Sequence, residues 1–208
     1  HNENYKSLYK SINYLLVNHH KTSYYGVFYP SSYKCVINLG KYNKKFLIIG
    51  NVNALTYKEI FPLVRENKLW LGASIHSGDR KFGVPDSYPL NAAGCGVDEN
   101  GQRFIRVKGV RWFTNLDYPQ RHEKLPPYKK YTAEEFPMYD NYDAINVNKT
   151  ADIPYDYDGV MGVPITFMDK YNPEQFEIIG NEYSLEIDRG RGYIAGKRLY
   201  SRIFIRRK

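Results

Sequence analysis

The sequence predicts an α/β protein with a doubly wound sheet, and two stretches carry that prediction. Phe46 to Ile49 is a fully apolar run, which a helical pattern separates from a second apolar run at Leu69 to Leu71. Such runs are typical of parallel strands, which are buried on both faces of their sheet. Val163 to Phe167 and Phe176 to Ile179 form another pair of apolar runs, joined by one helical turn. We expect all four runs to be strands.

The composition is that of a globular protein. The 208 residues are 42% hydrophobic and include 21 Tyr and 10 Phe, which is enough for one domain to bury a core. No apolar run approaches the roughly 20 residues that a membrane-spanning helix needs, and the start shows no signal peptide. We therefore expect a soluble cytoplasmic protein. Because the first residue is His, we also expect the sequence to be processed, truncated or part of a longer chain.

Helices are predicted at three places. Apolar residues at helical spacing indicate one amphipathic helix from Asn4 to His20. Thr56 and Glu59 stand three positions apart and predict a capping box, so that Phe46 to Leu71 becomes a strand, a helix and a strand with a right-handed crossover. Asn172 to Gln175 predicts a single turn, capped by Asn172 and reciprocally by Gln175.

Further strands are predicted around glycines. Arg103 to Lys108 and Val110 to Thr114 flank Gly109 and indicate either a hairpin or one bent strand. Near the end of the chain, three more β-rich segments are separated by glycines, namely Tyr183 to Ile187, Tyr193 to Ala195 and Arg198 to Ile205.

Two irregular segments interrupt these elements, at 72–101 and 118–137. Long loops in a compact domain are usually functional or mobile. His76, Arg80 and Lys81 give the first loop the polar, basic character of a phosphate-contacting segment, although a solvated turn explains the same residues. The second segment has further candidates for phosphate contacts, namely Arg121, His122, Lys124, Lys129 and Lys130.

The positive charge is concentrated at the end of the chain. The formal net charge is +8, and the last twenty residues carry eight basic residues and no acid, so the remainder balances to zero. This distribution predicts binding to a polyanion such as nucleic acid. On one continuous strand Arg198, Arg202 and Arg206 would share a side, and we expect them to contact phosphates. Lys197 and Arg207 complete the predicted contact set.

No metal site is expected. Cys35 and Cys95 lack the paired spacing of metal ligands. Asp156 and Asp158 are conceivable ligands in a hydrolase, but no third acid with a nearby lysine stands at nuclease spacing.

Four segments together resemble the EcoRI-type adenine-specific DNA methyltransferases. They are KYNKKFLIIGNVNALTYKEIFPLVRENKLWLG at 41–72, VRWFTNLD at 110–117, DYDGVMGVPITFMDKYNPEQFEIIG at 156–180 and GKRLYSRIFIRRK at 196–208. The resemblance runs from about Lys41 to the end and leaves 1–40 as an extension. It implies a partial Rossmann-like methyltransferase fold at 41–208, the second half of a doubly wound sheet.

The resemblance also implies which parts of the enzyme to look for. A complete member takes a methyl group from S-adenosylmethionine and transfers it to a flipped adenine in duplex DNA, as part of restriction-modification. The family's Asn-Pro-Pro-Phe motif should fall near Gly26, Val27, Phe28 and Tyr29, where only the aromatic character is present. The glycine-rich donor loop is also not found in the sequence.

Two functions remain open. The chain is expected to be a truncated or degenerate methyltransferase, inactive alone and binding no S-adenosylmethionine by itself, which a missing half or second chain would complete. The alternative is a nucleic-acid-binding protein without catalytic function that uses the basic C-terminal strand. Duplex DNA is the expected partner in both.

Overall fold

The computed structural model describes residues 24–27, 44–76, 78–91, 93–126 and 128–208. Within these ranges the strands are β1 (Tyr24–Val27), β2 (Phe46–Asn51), β3 (Trp70–Leu71), β4 (Asp79–Gly83), β5 (Gly96–Val97), β6 (Arg103–Lys108), β7 (Val110–Thr114), β8 (Ile145–Asn146), β9 (Met161–Val163), β10 (Phe176–Asn181), β11 (Tyr193–Ile194), β12 (Lys197–Arg198) and β13 (Ile203–Arg207). The α-helix is α1 (Phe61–Arg65), and 3-10 helices cover Val52–Thr56, Pro119–His122, Thr150–Asp152, Ile165–Lys170 and Asp188–Gly190. The predicted helix from Asn4 to His20 lies outside the described residues.

The first sheet has the strand order β1-β2-β7-β3. β1 pairs with β2 in parallel, whereas β7 is antiparallel to both β2 and β3. β2 and β3 therefore run in the same direction, as predicted for a strand, a helix and a strand, but they are not neighbours. The position of β7 between β2 and β3 was not predicted, because strand pairing depends on residues far apart in the chain.

The helix between β2 and β3 begins later than the capping box predicted. Thr56 closes the preceding 3-10 helix instead, because its hydroxyl donates to the Asn53 carbonyl at 2.8 Å. α1 starts at Phe61 and has Pro62 in its first turn, where the missing N–H of proline costs no helical hydrogen bond. The predicted cap at Thr56 is therefore wrong, while the predicted helix is confirmed.

β6 and β7 form one bent strand and not a hairpin. They belong to different sheets, since β6 pairs with β4 and β5 whereas β7 pairs with β2 and β3. Gly109 lies between them at φ +69°, a backbone conformation that favours glycine. β6 is the central strand of a small antiparallel sheet of order β4-β6-β5. The other two strands, β4 and β5, lie in segment 72–101, which was predicted to be irregular.

The other four-stranded sheet has the order β10-β13-β9-β8 and is also mixed. β10 confirms the strand predicted at Phe176 to Ile179. The strand predicted from Val163 to Phe167 is wrong beyond Val163, because Pro164 lacks a backbone N–H for the ladder and a 3-10 helix follows it.

The turn predicted from Asn172 to Gln175 is capped by Asn172, whose side chain accepts from the Glu174 N–H at 2.8 Å. Gln175 does not close that cap, because its side chain bonds both backbone groups of Leu125.

The predicted strands near the end of the chain are only partly correct. The segment from Tyr183 to Ile187 is a turn and not a strand, with Glu186 at φ +50°. β11 and β12 form a small hairpin. The strand predicted from Arg198 to Ile205 is broken at 199–202, so that β12 and β13 lie in different sheets.

One hydrophobic core joins the two four-stranded sheets. Phe46 and Phe113 enter it from the first sheet, and Phe176 and Ile205 enter it from the second. Phe61 and Val64 add the apolar face of α1. The described part of the chain is thus an α/β structure of mixed sheets with little helix, and none of its helices has the length and apolar content that crossing a bilayer requires.

Candidate functional site

The position predicted for the methyl-transfer motif lies at the carboxyl end of a parallel strand. Gly26 and Val27 end β1, where they pair with Ile48 and Ile49 of β2. Ligands of open α/β sheets bind outside the carboxyl ends of the strands. Neither Gly26 nor Val27 has a side-chain acceptor for an adenine amine, and Phe28 and Tyr29 lie outside the described residues. This edge of the sheet is therefore a suitable position for a ligand, but its described residues provide no side-chain acceptor for an adenine amine.

A buried ion pair ties the first sheet to the segment after β9. The Arg111 Nε of β7 donates to Asp169 Oδ1 at 2.7 Å, and its Nη2 donates to Oδ2 at 3.0 Å. Both side chains are buried, at 5% and 8% exposure. Two fixed hydrogen bonds make this a bidentate pair. Sequence analysis did not single out either residue, because buried and exposed charges look the same in a sequence.

His76 faces this ion pair. Its carbonyl accepts a hydrogen bond from the Arg111 guanidinium, and its Nδ1 lies 3.8 Å from Asp169 Oδ1. Half of the imidazole is exposed. His76 thus fixes the start of the loop before β4, whereas its predicted contact with phosphate stays a prediction.

The two basic residues predicted next to His76 lie on opposite faces of β4. Side chains alternate along a strand, so Arg80 and Lys81 cannot contact the same phosphate from one surface. The Arg80 guanidinium donates to the carbonyl of Asp79 at 3.0 Å. The Lys81 ammonium lies 4.5 Å from the centre of the Phe104 ring.

The basic residues at the end of the chain do not form the single row that was predicted. Lys197 and Arg198 are exposed on the β11–β12 hairpin. Arg202 lies before β13 and donates to Asn146 Oδ1 at 3.3 Å, and Arg206 pairs with Glu177 at 2.9 Å. Arg207 lies over the Phe176 ring, at 5.5 Å from its centre. The row is wrong because the strand is interrupted, and DNA contact by each residue stays a prediction.

Two basic residues of the segment 118–137, Arg121 and His122, form structural contacts. Arg121 is 7% exposed, stacks on Trp70 at 3.7 Å from the ring centre and bonds Asn67. His122 lies between Asp117 and Glu174, each 2.9 Å from one of its ring nitrogens. These hydrogen bonds raise the pKa of His122 above its ordinary value. The predicted phosphate contacts of Arg121 and His122 stay predictions.

The part of the chain that the structure describes shows no candidate metal site. No group of three His, Cys, Asp or Glu side chains in those residues is arranged to hold a metal ion. Asp156 accepts a hydrogen bond from the Tyr131 N–H at 2.7 Å, which gives this carboxylate a structural role.

The chain matches the family described as adenine-specific methyltransferase EcoRI over residues 30–208. It is 53% identical over 170 residues to the type II methyltransferase M.EcoRI of Escherichia coli, an alignment that covers 81% of this chain and 52% of the relative. It is 35% identical over 191 residues to M.MpnI of Mycoplasma pneumoniae, covering 82% of this chain and 59% of that one. The chain spans about half the length of the curated relatives it matches. A search of solved structures finds no significant match.

Proposed function

Because the chain belongs to the adenine-specific methyltransferase EcoRI family, we propose that it is the DNA-facing half of such an enzyme. The family match over residues 30–208 carries this proposal. In the complete enzyme, S-adenosylmethionine supplies the methyl group and an adenine in duplex DNA receives it, in a restriction-modification system of the bacterial cytoplasm. This chain by itself is inactive.

The first sheet supports a partial Rossmann-like fold. β1 and β2 are parallel neighbours, and within the described residues β1 pairs with β2 alone. An unpaired strand edge favours addition of another strand. We propose that the donor-binding half of the enzyme continues the sheet at this edge, whether it is carried on another chain or on a longer form of this one.

The residues at the carboxyl end of β1 do not fit adenine methylation. An adenine that is flipped out of the helix is held by hydrogen bonds to its edge and by stacking. In this family an Asn oxygen and a Pro-Pro carbonyl accept from the adenine amine, but the corresponding region of β1 ends in Gly26 and Val27. Nor does the sequence contain the glycine-rich donor loop. We therefore expect this chain alone to bind no S-adenosylmethionine.

The same residues favour one alternative, a nucleic-acid-binding protein without catalysis. Its DNA contacts would come from the basic end of the chain, where Lys197 and Arg198 are the exposed pair on β12. This alternative requires salt-dependent DNA binding that no added half converts into methyl transfer.

Complementation separates the two functions. The chain is mixed with a recombinant segment comprising the part of the Escherichia coli relative that it does not match, and transfer of tritiated methyl groups from S-adenosylmethionine to duplex DNA is measured. We expect transfer from the mixture and none from this chain. Transfer by this chain alone would refute its inactivity. If both parts are folded and the chain binds DNA, but the mixture transfers no methyl groups, the non-catalytic alternative would be supported.

A further inference from the structure

We propose that one face of the β4-β6-β5 sheet binds the phosphate backbone of duplex DNA. Three cations form this cationic face, Lys81 on β4 with Arg106 and Lys108 on β6, and two of them, Lys81 and Arg106, lie over the ring of Phe104. The inference rests on the proposed function, because it names a surface through which a DNA-facing half would hold its substrate.

The strand register places the three cations on one surface. Lys81 is directly opposite Arg106, and Asp79 is directly opposite Lys108. Directly opposed residues of antiparallel strands share a face of the sheet. All four are exposed, whereas Phe82, Ile105 and Val107 on the other face are partly buried. The sheet therefore presents three cations and one carboxylate on this face, while its other face carries Phe82, Ile105 and Val107 together with Arg80.

The ring of Phe104 holds two of these cations in place. The Lys81 ammonium is 4.5 Å and the Arg106 guanidinium 6.0 Å from the ring centre. Like charges directly opposite each other destabilise a sheet, and attraction of both cations to the ring offsets part of that cost. Lys81 and Arg106 are not required to bury the core. Two opposed cations lower the stability of the sheet. Binding of a polyanion to them explains why such an arrangement is present.

The donors of the lysines are available to a ligand. Among the residues that the structure describes, neither Lys81 nor Lys108 forms an ion pair or a side-chain hydrogen bond, and Asp79 lies 3.7 Å from Arg106. An exposed pair of that length contributes little stability. Three donors on each ammonium can therefore contact phosphate oxygens.

The spacing of the cations suits DNA. Arg106 and Lys108 are two residues apart on an antiparallel strand, which is about 6.8 Å. Phosphates follow one another at about 3.4 Å along the helix axis on each DNA strand, so the two side chains span about two nucleotides. Contacts of this kind position a protein on the duplex without reading its sequence.

Fluorescence anisotropy of a labelled duplex of about two helical turns tests the proposal, with Kd measured over a range of salt concentrations. Lys81→Ala and Arg106→Ala should each lower the magnitude of the log Kobs against log[salt] slope by about 0.9, which is the loss of one phosphate contact. Phe104→Leu keeps the apolar volume and should weaken binding less than the loss of either cation.

Arg80→Ala is the matched control, because it removes one charge from the adjacent residue on the opposite face. It should leave the slope unchanged, and thermal melts verify that each variant is folded. Equal slopes for Lys81→Ala, Arg106→Ala and the unaltered chain would overturn the cationic face, as would an equal effect of Arg80→Ala. Failure of the unaltered chain to bind the duplex would contradict the proposed function as well.

Discussion

At the residue scale, the most consequential contact is the ion pair of Arg111 and Asp169. It joins a strand of the first sheet to the segment that follows the second sheet's β9, with both charges out of water. Forming such a pair yields little net stability, since desolvation offsets the attraction, but removing one partner leaves the other charge buried alone.

Asp169→Ala should therefore reduce the free energy of unfolding by about 3 to 5 kcal/mol. Chemical denaturation followed by circular dichroism measures the loss. The double variant Arg111→Met with Asp169→Leu removes both charges and keeps apolar volume, so it should lose clearly less than Asp169→Ala. An equal loss in the two variants would mean that packing, and not an uncompensated charge, dominates the site.

The sequence could not predict which arginines are buried in ion pairs, and the reason is physical. Arg111 occupies a β-rich run like that of Arg106, yet one guanidinium is buried and the other is exposed on a sheet face. Which of the two occurs depends on the bend at Gly109, which moves β6 and β7 into different sheets. Local patterns predicted both strands but not the direction of their side chains.

At the element scale, apolar runs predicted the strands better than they predicted the connections. β2, β3, β7 and β10 lie where the runs predicted them. The errors fall where a single residue interrupts a run, as Pro164 does, or where a polar pair closes a turn. Asn181 and Ser184 bond each other reciprocally at 2.9 Å, and the chain turns there where β-forming residues predicted a strand.

His122 joins two connecting segments through Asp117 and Glu174. Its contribution to the stability of the fold should depend on pH. Its hydrogen bonds to Asp117 and Glu174 raise its pKa above the ordinary value of about 6.5. The stabilisation is therefore complete below about pH 6.5 and is lost as the pH rises through the raised pKa. The hydrogen bond to His122 also lowers the pKa of Asp117, so on the acid side the stabilisation is present above about pH 3.8 and is lost as the pH falls through that lowered pKa.

Thermal melting at pH 5.5 and pH 8.5 checks this dependence. His122→Asn should lower the melting temperature at pH 5.5 and have a smaller effect at pH 8.5. The variant Asp117→Asn with Glu174→Gln keeps the imidazole but removes its acceptors' charges, and should show the same loss of pH dependence. A difference between His122→Asn and the unaltered chain that is equal at both values would exclude the protonated bridge.

At the scale of the whole molecule, β1 is the outermost strand of the first sheet within the described residues, and the chain spans about half the length of the relatives it matches. The sequence alone revealed the lineage, since four long segments resemble one family and the family match confirms it. It also predicted the motif position near Gly26 and Val27, which lie at the carboxyl end of a parallel strand, and that position stays a prediction. It could not reveal that β7 separates β2 from β3, or that the small β4-β6-β5 sheet presents a cationic face.

We propose that this chain binds DNA and lacks the donor site. Calorimetric titration of the purified chain with S-adenosylmethionine, with and without duplex DNA, tests it most directly. We predict no binding of S-adenosylmethionine in either titration, while the duplex itself binds. Stoichiometric binding of S-adenosylmethionine by the chain alone would contradict the claim, because it would require a donor pocket built from these 208 residues.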